Sequence, residues 1–466
     1  MILNSLFINV LKNKSLVHIH MSKSLEQLLE DRCNGIVSVE YEELFDIEID
    51  ETLVHMDEQL QTLALTPALT PALTPALTPA LTPALTPALT PALTPALTPA
   101  LTPALTPALT PALTPALTLT PSPALDTTND MHRYDLLLPI IANDYHNAIA
   151  GLIYGCALGD NLGLQTEGKT LDDVKTPITA PSTKSFKGID AHDWTDDTDQ
   201  LILLMNAIMQ TKGQSIDIKL FINDLIRWKK QGFRELDDTS GKCIEQFTSH
   251  VIGMSNYATD PVKTALSAYK SLGGDVSTNG SLMRSGIIAC CNDWQTSAIK
   301  QSVITHVDCR CLYASWLHVS ICRAMLIGFI PDVEILLSNR DLFMKNKTNR
   351  DEFVKYNAIY RMQPDELLAS LQLSEEPISY VLKTLGVSFY ALACIKANRI
   401  NTHADVKHQL LRIVNLAGDA DTNAAVAGQI LGAYISYSGL PMDWINMLKH
   451  KQWLDRKIIA FVKALE

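Results

Sequence analysis

Two acidic clusters, Trp194-Thr195-Asp196-Asp197-Thr198-Asp199 and Ala417-Gly418-Asp419-Ala420-Asp421-Thr422, hold the residues of this chain best suited to chemistry. Each crowds carboxylates and hydroxyls into a few positions. Crowded carboxylates repel one another and are costly to desolvate unless a cation neutralises them. Aspartate and threonine oxygens are hard ligands, suited to Mg²⁺, Mn²⁺ or Ca²⁺ rather than zinc. If the fold brings the clusters together, they build a two-metal site of all-oxygen ligands, as in a metal-assisted hydrolase. Taken singly, either cluster reads as first-turn acids that complement a helix dipole.

The elements that must position these groups are helical. Apolar residues recur at three- and four-residue spacing over Asp144–Leu158, Asp197–Thr211, Asp217–Lys230, Pro261–Leu272, Asp308–Ile330, Ile378–Ala397, Asp405–Leu416 and Thr422–Tyr437. Asp260 before Pro261 predicts an N-cap with proline in the first turn. No stretch alternates with the period of a strand. The expectation is one compact all-α domain over 130–466, with Ser338–Tyr356 as a surface excursion. Gly151, Gly155 and Gly159 fall on one helical stripe. Glycine costs about 1 kcal/mol per helix position, so a second backbone is expected close by. The small-residue run Ala424–Ala433 is the expected partner, and would set the second cluster beside the loop after Gly159. Glu167 follows in that loop, near enough for acid–base or metal-adjacent work.

Ahead of this domain lie an N-terminal segment, 1–60, of unassigned role and a low-complexity linker, 61–129. The linker repeats Thr-Pro-Ala-Leu, and a proline every fourth residue excludes both α-helix and central strand. Polyproline-II-like or disordered chain is the expectation, a spacer in the simplest reading. The net charge of -12 over 466 residues disfavours a broad nucleic-acid-binding face. Nine cysteines without a CxxC pair suggest free thiols in a reducing compartment. The N-terminus lacks the basic start and cleavage site of a leader, and no apolar run reaches the ~20 residues of a bilayer span. The expected location is the cytoplasm.

Five motifs occur in order. Gly155-Cys156-Ala157-Leu158-Gly159-Asp160-Asn161-Leu162-Gly163 with Glu167 comes first, then Thr195-Asp196-Asp197-Thr198. Asn279-Gly280-Ser281-Leu282-Met283-Arg284, Thr305-His306-Val307-Asp308-Cys309-Arg310 and Gly418-Asp419-Ala420-Asp421-Thr422 follow. Over about residues 144–437 this series resembles the ADP-ribosylglycohydrolase family, which includes dinitrogenase-reductase-activating glycohydrolases and ADP-ribosyl-acceptor hydrolases. The resemblance implies an orthogonal α-helical bundle with a dinuclear cleft for two Mg²⁺ ions, Mn²⁺ being an admissible substitute. It implies metal ligation by Thr195, Asp196, Asp197, Asp419, Asp421 and Thr422, with Glu167, Asp197 and Asp421 as the catalytic set. Glu167 matches an acid placed beside the metals near the substrate ribose. Asn279, Gly280, Ser281 and Met283 match a substrate-contacting loop, and His306 matches a residue lining the ADP-ribose cleft. The implied activity is Mg²⁺-dependent hydrolysis of the glycosidic bond between ADP-ribose and a modified protein side chain or small acceptor. Asn161, Cys309 and the additional carboxylate of Asp199 depart from the commonest family pattern without removing an implied ligand.

The chemistry of the residues is consistent with that activity. Glycosidic cleavage builds positive charge on the ribose ring, which carboxylates stabilise. Divalent cations activate water and orient ribose hydroxyls. Glu167 fits the roles of base, acid or positioning group equally. Gly280-Ser281, read as a turn entering a helix, offers N–H groups to the diphosphate. His306, Cys309 and Cys311 fit no standard zinc unit. A second reading is a non-catalytic ADP-ribose-binding or structural protein, and a third is a metal-dependent phosphoester hydrolase. The motifs leave the acceptor open among arginine, serine, a nucleobase and an acetyl ester.

Overall fold

The computed structural model describes residues 136–343 and 350–466. The N-terminal segment and the repeat therefore lie outside the described residues. Within them the chain is all-α. The helices are α1 Asp144–Gly163, α2 Asp196–Gln210, α3 Ile218–Gln231, α4 Gln246–Gly253 and α5 Pro261–Ser271. Next come α6 Trp294–Val303, α7 Cys309–Leu326, α8 Val333–Ser338, α9 Arg350–Ile359 and α10 Pro364–Ser370. The series ends with α11 Val381–Lys396, α12 His403–Val414, α13 Ala420–Ile435, α14 Met442–Ile445 and α15 Lys451–Leu465. Among the described residues β pairing is confined to isolated bridges, Lys169 with Gly418, Phe186 with Ile189 and Thr278 with Tyr380.

All eight helices read from apolar spacing are present, with shifted ends. The Asp260 cap accepts from the Lys263 N–H at 3.2 Å. Two expectations need correction. Helix α1 runs on to Gly163, so Asp160 occupies its last turn rather than a loop. The stretch Ser338–Tyr356 is not simply a surface excursion, because α9 begins inside it and buries Phe353 and Tyr356. These two, three apart on one helical face, meet the rings of Tyr313 and Tyr380 respectively.

Helices α1 and α13 form the spine. A methyl placed on Gly151 would fall on the carbonyl of Gly432, one on Gly155 on that of Gly428, and one on Gly159 on that of Ala424. Two backbones therefore touch along three helical turns, which side chains larger than hydrogen would prevent. At the far end of the stripe, a methyl on Gly163 would strike Asp421 Cα. The stripe thus sets the start of α13, with its acids, against the end of α1. Both helices are buried nearly throughout, which explains why their apolar residues are not confined to one face.

Candidate metal centre

The first cluster is organised by Asp160. Its carboxylate accepts from the N–H of Thr195 at 3.0 Å and of Thr198 at 3.1 Å. The hydroxyls of Thr195 and Thr198 lie 2.8 and 2.7 Å from its oxygens. Asp160 thus caps α2 from another helix, doing the work that the Thr195 N-cap side chain does not do. Burial lifts its pKa to about 6, although the four donated hydrogen bonds pull it down. Asp196 and Asp197 follow in the first turn and are buried with it. Asp196 accepts from Gln200 Nε2 at 3.0 Å and from the Glu245 N–H at 3.1 Å. Asp197 Oδ2 lies 3.3 Å from the Thr195 hydroxyl and 3.4 Å from that of Thr422. The two sequence-distant clusters therefore meet at one oxygen.

The second cluster opens α13. Asp419 is its N-cap residue and Asp421 lies in its first turn. Glu167 stands at the edge, one oxygen accepting from the Ala420 N–H at 2.8 Å. Backbone bonds from Gly168 N–H to Gly418 at 2.7 Å and from Gly418 N–H to Lys169 at 3.0 Å stitch the Glu167 turn to this cluster. Gly418, at φ 72°, makes the turn without strain, and a side chain on it would strike the Leu373 carbonyl.

Two triads of carboxylates emerge, Asp160/Asp197/Asp421 and Glu167/Asp419/Asp421, with ligand atoms within 4.8 Å of one another in each. Asp421 belongs to both. Thr195 and Thr422 flank Asp197, whereas Asp196 belongs to neither triad and is turned towards Gln200 and Glu245. Burial raises the pKa values of Asp197 and Asp421 well above the carboxylate range. Neighbouring acids add to this, Asp160 for Asp197 and Glu167 for Asp421. Burial lifts Asp419 to about 7, with Glu167 next in effect. Asp197 Oδ1 is buried and accepts no hydrogen bond. An orphaned anionic oxygen among like charges is what a divalent cation would satisfy, so the residues fit hard-cation binding.

The Asn279–Arg284 motif supports this centre from beneath. Asn279 donates to Asp419 at 2.8 Å and to Thr384 at 2.9 Å. Ser281, Met283 and His306 are enclosed by protein. Ser281 lies 2.8 Å from the Ser302 hydroxyl, and the Met283 carbonyl accepts from Gln429. His306 is wedged between the hydroxyls of Thr278 and Thr305, at 3.0 and 2.9 Å, and burial lowers its pKa. Gly280 leaves room for Thr248, His306 and Glu245, each within 3.1 Å of where a methyl would sit. The loop leads into a 3₁₀ segment, Ser285–Cys290, rather than the α-helix expected after Gly280-Ser281. Arg284, fully buried, draws it inward by bonding Gln200 at 2.7 Å, Gln301 at 2.8 Å and Thr305 at 2.8 Å.

Sequence reasoning missed two contributors. Asp160, named there only within the first motif, braces α2 and also joins a triad. Glu245 caps α4 by accepting from the Phe247 and Thr248 N–H groups, while its own N–H holds Asp196. Burial works to raise Glu245, yet contact with His306 and those two N–H groups brings it down to about 2. Only the Glu245-to-Gln246 helix start was there to be read, and no helix was assigned there.

An all-α bundle in which the N-termini of α2 and α13 bring together buried carboxylates that could hold a hard cation is the class that fold and site define. The ADP-ribosylglycohydrolase model matches residues 142–465, and the chain belongs to that family. Two proteins named ADP-ribosylarginine hydrolase Tri1, from Pseudomonas putida and Serratia proteamaculans, are each 24% identical. Their alignments cover 66% and 65% of this chain and 75% of each relative. An uncharacterised protein of Archaeoglobus fulgidus is 22% identical over 65% of this chain and 92% of its own. A solved structure titled ADP-ribosylglycohydrolase-related protein complex shares the fold, with a TM-score of 0.50 and 23% identity over 69% of this chain and 99% of that one.

Proposed function

We propose that residues 130–466 form a Mg²⁺-dependent hydrolase that cleaves the N-glycosyl bond between ADP-ribose and arginine and releases ADP-ribose. The observation that carries this is the pair of carboxylate triads sharing Asp421. Thr195, Asp160, Asp197, Asp421 and Thr422 would hold one cation, and Glu167, Asp419 and Asp421 the other, with Asp196 behind the first. Bound cations would neutralise the acids, lower the pKa of water and orient the ribose hydroxyls. Glu167 is the one half-buried acid of the triads, so it is the group that meets substrate. There it would act as base, acid or positioning group, with Oε2 anchored by the Ala420 N–H. Positive charge developing on the ribose ring is stabilised by the surrounding carboxylates. An acid-rich cleft also suits a cationic guanidine acceptor, and arginine is the acceptor in the names of the Tri1 relatives. Among the described residues no helix is long and apolar enough to cross a membrane, and the eight described cysteines are free. We place its work in the cytoplasm.

A panel of ADP-ribosyl-arginine, ADP-ribosyl-serine, O-acetyl-ADP-ribose and a simple phosphoester, each with Mg²⁺, tests the proposal. Free ADP-ribose should appear from the arginine compound and be lost on chelation or in Asp421→Ala. Turnover of the phosphoester alone, or binding of ADP-ribose with no turnover of any compound, would overturn it.

A further inference from the structure

The acids of the centre share little positive charge from the protein. Asp160, Glu167, Asp196, Asp197, Asp419 and Asp421 gather there, and among the described residues their one ion pair is Lys187 with Glu167, at 3.8 Å. That lysine is delivered by a built device. Phe186 and Ile189 exchange both backbone hydrogen bonds, at 3.0 and 2.8 Å, closing a two-residue turn. Lys187 and Gly188 occupy it with φ values of 49° and 82°, the signature of a type I′ turn. Lysine is unfavoured at such a φ. The approach to the turn is anchored, since Asn415 bonds both the N–H and the carbonyl of Ile178, at 2.7 and 2.9 Å. From the tip the ammonium reaches over Gly168, where an added methyl would lie 3.3 Å from Nζ. It ends beside Glu167 Oε1, the oxygen not committed to the Ala420 N–H. The side chain is half exposed, free to swing into water.

We propose that Lys187 is the resident counter-ion of Glu167 and competes with a divalent cation for that carboxylate. The inference rests on the metal reading above and deepens it. Glu167 Oε1 has two cationic suitors, the ammonium from the solvent side and an ion among Glu167, Asp419 and Asp421 from within. The Asp160/Asp197/Asp421 triad is fully buried and has no such competitor among the described residues. The two positions are therefore unequal, and the one at Glu167 is the weaker and the more readily exchanged. A unit charge about 6 Å from a divalent ion, in a water-like medium at physiological salt, changes its affinity by about 3- to 10-fold.

Calorimetric titration of the full chain with Mn²⁺ tests this, comparing wild type with Lys187→Met and Lys187→Arg. The weaker binding step should tighten about 3- to 10-fold in Lys187→Met and stay near wild type in Lys187→Arg. Acylation of lysines, read by mass spectrometry, gives an independent signal. Labelling of Lys187 should rise when Mn²⁺ saturates the protein, because the displaced ammonium moves into solvent. Wild type that binds Mn²⁺ with no tightening in Lys187→Met, or with unchanged Lys187 labelling, overturns the inference and leaves the metal reading standing. Wild type that binds no Mn²⁺ overturns the metal reading and the inference with it.

Discussion

Alanine at Gly155 sets two effects of opposite sign against each other. In a helix interior, glycine to alanine gains about 1 kcal/mol. Here the added methyl would fall on the Gly428 carbonyl and lie 3.3 Å from Gly432 Cα. Those are backbone atoms of the facing helix, so no side chain can turn away to make room, and α1 and α13 must separate. Overpacking costs about 1–3 kcal/mol where side chains can adjust, and more against rigid backbone. We therefore expect a net loss of about 2–4 kcal/mol, which lowers Tm by roughly 3–6 °C for a domain of this size. Separation of the spine also moves the start of α13, and Asp421 with it, away from Asp160. Scanning calorimetry should show the fall in Tm, and Mn²⁺ titration should show weakened binding in the same protein. A Gly155→Ala protein at least as stable as wild type, with unchanged Mn²⁺ affinity, would refute the close helix contact and the positioning role assigned to it.

Arg284→Lys keeps the buried charge but cannot reproduce the forked bonding to Gln200, Gln301 and Thr305. We expect a loss of about 2–4 kcal/mol in urea unfolding; a loss under about 0.5 would show that the guanidinium network is not structural. The pH dependence of the metal-free protein should also run in a defined direction. Burial raises Asp160 to about 6 and Asp199 and Asp419 to about 7, above the value of about 4 for unfolded carboxyls. The unfolded chain therefore gives up protons that the folded protein keeps, so stability is greatest below about pH 4 from these groups and falls as pH rises to about 7. Urea midpoints at pH 5 and pH 8 check this, and saturating Mg²⁺ should shrink the difference between them.

The long helices were legible because their apolar residues keep a helical period, and the stripe of Gly151, Gly155 and Gly159 pointed to a close backbone partner. Helix α6 was not legible, since it buries Thr296, Ser297, Gln301 and Ser302 as well as apolar residues. Those polar groups are satisfied by tertiary bonds, such as Gln301 to the Ser281 carbonyl at 3.0 Å, which leave no periodic trace. The two acid clusters announced the centre, but not its membership. Asp160 reaches Thr195 and Thr198 only because α1 runs past Gly159, and Glu245 reaches Asp196 through its backbone N–H. Lys187 sits in an irregular stretch whose turn type depends on φ angles that lysine does not advertise.

The shared ligand offers the most direct test. Because Asp421 belongs to both triads and Glu167 to one, their substitutions should remove different numbers of ions. Equilibrium dialysis with Mn²⁺ should find two ions bound by wild type, one by Glu167→Gln and none held tightly by Asp421→Ala. Equal binding by wild type and Asp421→Ala would contradict the account.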